Sequence, residues 1–93
     1  MSRRIKLTQG KYALVDDELY NWLNGYKWHT ITAGNNYYAM RTTPKYEGRE
    51  PVLMHRQILG LKYLDGKTSA HLNNNGLDNR LSNLKIIKNT GDV

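Results

Sequence analysis

Apolar and polar positions alternate along the first fifteen residues: Ile5 and Leu7 against Lys6 and Thr8, then Tyr12, Leu14 and Val15 beyond Gln9-Gly10. A period of two on both sides of a glycine turn predicts a β-hairpin. At Asp16 the period lengthens. Leu19, Trp22 and Leu23 recur at helical spacing up to Gly25, with Asp16 as N-cap and Asp17 and Glu18 in the first turn, where the helix dipole favours acids. Next, "YKWHTITAGNNYYAMRTT" sets Trp28, Thr30 and Thr32 against Tyr38 and Met40 across a Gly34-Asn35-Asn36 turn, a second hairpin. Pro44 to Pro51 reads as a polar loop.

In "VLMHRQILGLKYL", Leu53, Met54, Ile58, Leu59 and Leu61 suit a short buried helix closed by Gly60, with His55 as a packed residue hydrogen-bonded to backbone. Asp65-Gly66 turns the chain into a strand over Lys67 to Leu72. A loop "NNNG", a helical turn "DNRLSN" N-capped by Asp78, and a strand "LKIIK" follow, with Leu77, Leu81 and Leu84 pinning the turn to the core. The expected fold is α+β: one domain over 1–93, a small antiparallel β-hairpin platform with short helices (β-rich over 1–50), then a separate motif over 51–93.

Composition narrows the partners. Ninety-three residues bury roughly two thirds of their unfolded surface, so the core is small. Fourteen Lys and Arg against eight Asp and Glu give +6, and with a pI near 9.7 this favours an anionic partner, nucleic acid before membrane. Arg3, Arg4, Lys6, Arg41, Lys45, Arg49 and Arg80 are the candidate phosphate contacts. No apolar run approaches the roughly 18 residues of a membrane span, and "MSRRIKLTQG" lacks a signal peptide's apolar stretch, so a cytoplasmic protein is expected. Without cysteine, any metal is left to His, Asn, Asp or backbone oxygen, ligands that suit a hard divalent ion such as magnesium. Seven tyrosines and two tryptophans with no phenylalanine fit half-wet positions.

The densest chemistry lies in "SAHLNNNGLDNRLSNLK", residues 69–85. Asn73 to Asn75 before Gly76 need mean no more than a turn. The strand–loop–strand reading, however, returns Asn83, twelve residues on, towards His71. An asparagine oxygen there can accept the proton of one imidazole nitrogen and leave the other as a general base. Beside a divalent ion, such a base suffices for phosphodiester hydrolysis.

That stretch resembles the Asp-His, Asn-Asn-Arg, Asn-Leu-Arg signature of the HNH (His-Me finger) endonucleases of phage and homing type. "IKLTQGKYALVDDELYNWLNGYKW", "YYAMR" and "LMHRQILGL" are similar in kind and order to the N-terminal half of these proteins. The resemblance implies a ββα-metal motif over 51–93, a magnesium-dependent DNA endonuclease, and a home in a bacterial or phage-infected cell. It implies His71 as general base, Asn83 as the asparagine that orients it, Asn79 as a loop brace and Arg80 as a phosphate contact. The family's metal is held by the acid before the histidine and by a His or Asn in the final helix. Here those positions are Ala70 and, approximately, Asp92.

Ala70 offers no ligand, and "KNTGDV" is a poor start for the final helix. Impaired activity is therefore expected, in a chain shortened and inactivated by design or in a natural remnant that kept the fold. Two alternatives stand beside it. One is a non-catalytic DNA-binding domain using the cations above. The other is a phage protein-binding inhibitor on the same scaffold, with Tyr37, Tyr38 and Tyr46 as its aromatic interface.

Overall fold

The computed structural model describes residues 2–61 and 67–88. They form an α+β fold of antiparallel hairpins, a three-stranded sheet and short helices. Strands β1 (Ser2–Lys6) and β2 (Tyr12–Asp16) pair with Ile5 opposite Ala13. The hairpin is closed by Leu7 N on Lys11 O at 2.8 Å, and within its tip Gln9 and Gly10 both take positive φ, 62° and 70°. Ile5, Ala13 and Val15 face the core, while Tyr12 is exposed and Leu14 is half-buried.

Helix α1 (Asp17–Leu23) follows directly, and two expectations fail on it. Asp16 stands at the N-cap position but makes no cap bond; its Oδ2 accepts from the Leu81 amide at 2.6 Å, far away in the chain. Trp22 is exposed rather than buried, because the face turned inward is Leu19, Tyr20 and Leu23. At about 100° per residue that trio forms one stripe and position 22 falls at its edge. The Trp28 indole then donates to the Leu23 carbonyl at 2.8 Å, satisfying a helix-end acceptor.

Strands β3 (His29–Ala33), β4 (Asn36–Thr42) and β5 (Pro51–Leu53) make the three-stranded sheet, with β4 in the middle. The β3–β4 turn is Gly34-Asn35 alone, since Asn36 already pairs with Ala33. β5 takes the first residues of the stretch expected to form one short buried helix, Leu53 among them. Val52 and Leu53 are used in the ladder with β4, where an edge strand tolerates a proline, and α2 is only Met54–Ile58. It closes as expected at Gly60 (φ 73°), whose amide bonds Gln57 O at 3.1 Å while Leu61 N bonds Arg56 O at 2.9 Å.

The core gathers Ile5, Val15, Leu23, Trp28, Ala39 and Met54 on one face of this sheet. Residues alternate along a strand, so Ile31, Ala33, Asn36 and Tyr38 occupy the other face. The last pair, β6 (Lys67–His71) and β7 (Leu84–Lys88), sets Ala70 opposite Lys85 and His71 opposite Leu84. The expected turn at Asp65-Gly66 lies outside the described residues. Of the three expected pins, Leu84 is buried and Leu77 packs on the core, but Leu81 is exposed in a 3₁₀ turn, Leu81–Asn83. Among the described residues no helix is long and apolar enough to cross a membrane.

Candidate active site around His71

The loop after β6 is anchored by backbone to the N-terminal hairpin. Leu14 N bonds Leu77 O and Asn79 N bonds Leu14 O, each at 2.7 Å, a short parallel bridge. Leu14 faces away from the core because its neighbours Ala13 and Val15 face into it, and its peptide groups are free to hold the loop. From the other side, the Asn36 amide donates to Asn74 O at 2.7 Å and accepts from Gly76 N at 3.0 Å. A side-chain amide carries both a donor and an acceptor, so one asparagine clamps two backbone groups.

Inside the loop, Asn83 Oδ1 accepts from Asn73 N at 3.0 Å, and its Nδ2 donates to Asn73 Oδ1 at 2.9 Å and Asp78 O at 2.8 Å. Asp78 is not the N-cap of a helical turn, because Arg80 precedes the 3₁₀ turn. Its buried carboxylate instead receives Arg80 Nε and Nη2, both at 2.7 Å, and Asn73 Nδ2 at 2.9 Å. The Arg80 guanidinium holds the Asp78 carboxyl below its ordinary pKa, with Asn73 adding to the effect. Arg80, expected on a phosphate, spends two of its donors here.

The two asparagines nearest the histidine exchange their expected places. Asn79, fully buried, sets Oδ1 2.7 Å from His71 Nε2, whereas the Asn83 amide is occupied by Asn73 and Asp78. The reason is tertiary. Asn79 is carried under the ring by its bridge to Leu14, while Asn83 lies where its carbonyl bonds Leu72 N at 2.8 Å and its side chain faces the loop. With Asn79 Oδ1 as acceptor, the proton sits on Nε2 and Nδ1 holds the lone pair. Asn79→Ala is expected to cost about 2 kcal/mol, the usual penalty for a buried polar group losing its partner. The slowly exchanging His71 Nε2 proton should vanish from the imidazole region of the NMR spectrum; its persistence in the variant would reject the bond.

His71 opens on a cleft of about 450 Å³. One wall is the outer face of the three-stranded sheet, including Ile31, Asn36 and Tyr38; the other is Ser69, Ala70 and His71 of β6 with Asn74. Position 70 thus lies at the cleft beside the histidine, as the expected ligand position would.

The residue that sequence reasoning underrated is His55. Its ring centre lies 4.6 Å from that of His71 at an interplanar angle of 66°, and the Tyr38 ring is 5.8 Å from both. His55 is packed, as expected, but the expected backbone hydrogen bond is not made by Nδ1, which is buried without a partner. Burial, reinforced by the neighbouring His71 and Arg56, lowers its pKa to about 4, so the ring is neutral near pH 7. No local spacing signals the meeting of α2 with the end of β6.

The donors at the cleft do not fit a magnesium ion. Among the described residues they are imidazoles, amides and the hydroxyls of Ser69 and Tyr38, with no carboxylate and no group of three metal-binding side chains. Asp92 lies outside the described residues.

None of the seven candidate phosphate contacts lines the cleft. Arg3 stacks 3.8 Å above the Tyr20 ring near Asp17, and Arg4 lies 5.6 Å from the Tyr12 ring centre. Arg41 bonds Gln57 at 2.8 Å and stacks 4.0 Å from the Tyr26 ring, a brace between β4 and α2. Lys6, Lys45 and Arg49 are exposed. The three tyrosines do not form one patch: Tyr38 lines the cleft, its strand neighbour Tyr37 lies on the opposite face under Lys11, and Tyr46 protrudes beside β5 at 86% exposure.

No family model, curated protein or solved structure matches this chain.

Proposed function

We propose that the chain is an HNH-type DNA endonuclease domain in which His71 is the general base, and that Ala70 leaves it a poor hydrolase. The observation that carries this reading is the His71–Asn79 pair at the mouth of a cleft, with position 70 beside it. Asn79 holds the proton on Nε2, so Nδ1 takes the proton of a water attacking the phosphodiester phosphorus, and the leaving oxygen is protonated from solvent. A divalent ion, where one binds, supplies charge stabilisation at the phosphate. Magnesium needs a carboxylate that position 70 lacks, and no step of the water activation depends on it. Such a domain works where DNA is, in the cytoplasm of a bacterial or phage-infected cell.

Ala70→Asp is expected to produce magnesium-dependent nicking of supercoiled plasmid, and adding His71→Ala should remove it by roughly 10²–10⁴-fold, the usual worth of a general base. Cleavage that survives the loss of His71 rules this base out.

The position of the cations, away from the cleft, favours a second reading: a DNA-binding domain without turnover. In that case the DNA affinity of the unsubstituted chain falls with salt at about 0.9 log unit per log unit of salt for each phosphate neutralised. A flat salt response in a DNA titration removes it.

A further inference from the structure

We propose that His55 and His71 together form a binding site for a borderline transition-metal ion of the zinc, nickel or cobalt class, in the cleft beside β6. This does not rest on the nuclease reading; it starts from the mismatch between the cleft's donors and magnesium.

The first support is geometric. An imidazole nitrogen binds such an ion at about 2.1 Å and the ring centre lies about 1.1 Å further, so two rings subtending about 90–110° at the ion have centres roughly 4.5–5.2 Å apart. The observed separation is 4.6 Å, at 66° between ring planes. A coordinated ion would need little movement of the rings' centres.

The second support is the donor inventory. His55 Nδ1 is buried with no partner, a state that costs free energy unless something occupies it. His71 Nε2 is tied to Asn79 Oδ1, which orients the ring, fixes its tautomer and frees Nδ1 as a donor. Metal-bound histidines are commonly held in this way by an outer acceptor. Burial also keeps His55 neutral, the only form that can ligate.

The third support selects the class of ion. Two imidazoles with the Ser69 hydroxyl on the same cleft suit a borderline ion; magnesium and calcium, which favour carboxylates, are disfavoured by these donors. Water completes the shell. An ion on His71 Nδ1 also occupies the lone pair that a general base uses, so loading would oppose hydrolysis rather than assist it.

The test is a titration of the full chain, stripped with chelator, with cobalt(II) followed by visible absorption and with zinc(II) followed by calorimetry. One saturable equivalent is expected. His55→Ala and His71→Ala should each weaken it roughly tenfold or more, since even outer partners of a ligand are worth that much, while His29→Ala leaves it unchanged. Imidazole NMR of the unmutated chain guards against misfolded variants: zinc should shift the His55 and His71 resonances and leave those of His29 in place. Absence of saturable binding, or shifts confined to His29, overturns the site and shows the two rings to be a packing pair. Neither result bears on whether His71 activates water in the Ala70→Asp protein, which the plasmid assay reads separately.

Discussion

Replacing Gly76 by alanine is expected to destabilise the fold by about 3 kcal/mol, at the upper end of overpacking costs, and to lower the melting temperature by roughly 12–24 °C in a domain of this size. A Cβ on Gly76 would collide with the Tyr37 carbonyl oxygen and stand 2.6 Å from the Tyr38 ring. The oxygen belongs to the central strand of the three-stranded sheet, so it cannot yield without breaking the ladder. The loop must therefore lift, which breaks the Asn36–Gly76 bond at 3.0 Å and draws the Asn74 side of the cleft away from Tyr38. Gly25→Ala is the control, because its Cβ meets only the Trp22 carbonyl at an ordinary 3.5 Å. Thermal unfolding followed by circular dichroism separates the two, and a Gly76→Ala melting point within a few degrees of the Gly25→Ala one would show that the loop does not seat against β4.

Acid should unfold the protein through His55. Its pKa falls from 6.5 to about 4 on folding, chiefly because burial penalises the charged ring. Between those values the unfolded chain binds a proton that the folded chain refuses, so stability is full above pH 6.5 and is lost as pH falls towards 4. The loss amounts to about 3 kcal/mol at the lower end. Asp78 contributes in a different window: its pKa is lowered beneath 3.8 by Arg80, so its stabilisation is lost only in stronger acid. Urea unfolding at neutral pH and near pH 4.5, with chelator present, measures the effect. His55→Gln, which cannot titrate, should flatten the profile over this range; an equal loss in that variant would assign the acid sensitivity elsewhere.

Much of the local architecture was legible in the residues. Gln9-Gly10 and Gly34-Asn35 mark hairpins because left-handed backbone is cheap at glycine and tolerated beside it, and Gly60 closes α2 for the same reason. The longer apolar run after Pro51 was ambiguous, since periodicity alone does not separate a short strand from the start of a helix. It became β5 only because β4 offered an open edge to Val52 and Leu53. Asp16 shows the same limit. Next to a helix it reads as a cap, yet the Leu81 amide, folded against it, takes the carboxylate.

By itself, then, the sequence determined the class of fold, its hairpins and the placing of His71 at the end of a strand before an asparagine loop, because these follow from period, turn chemistry and neighbours along the chain. Tertiary structure alone decided which asparagine holds the histidine, and that His55 meets it at a cleft that has no carboxylate among the described residues. Asn79 and Asn83 are equivalent in kind and close in position. Only the bridge from Leu14, remote in sequence, carries one beneath the ring and leaves the other to tie the loop.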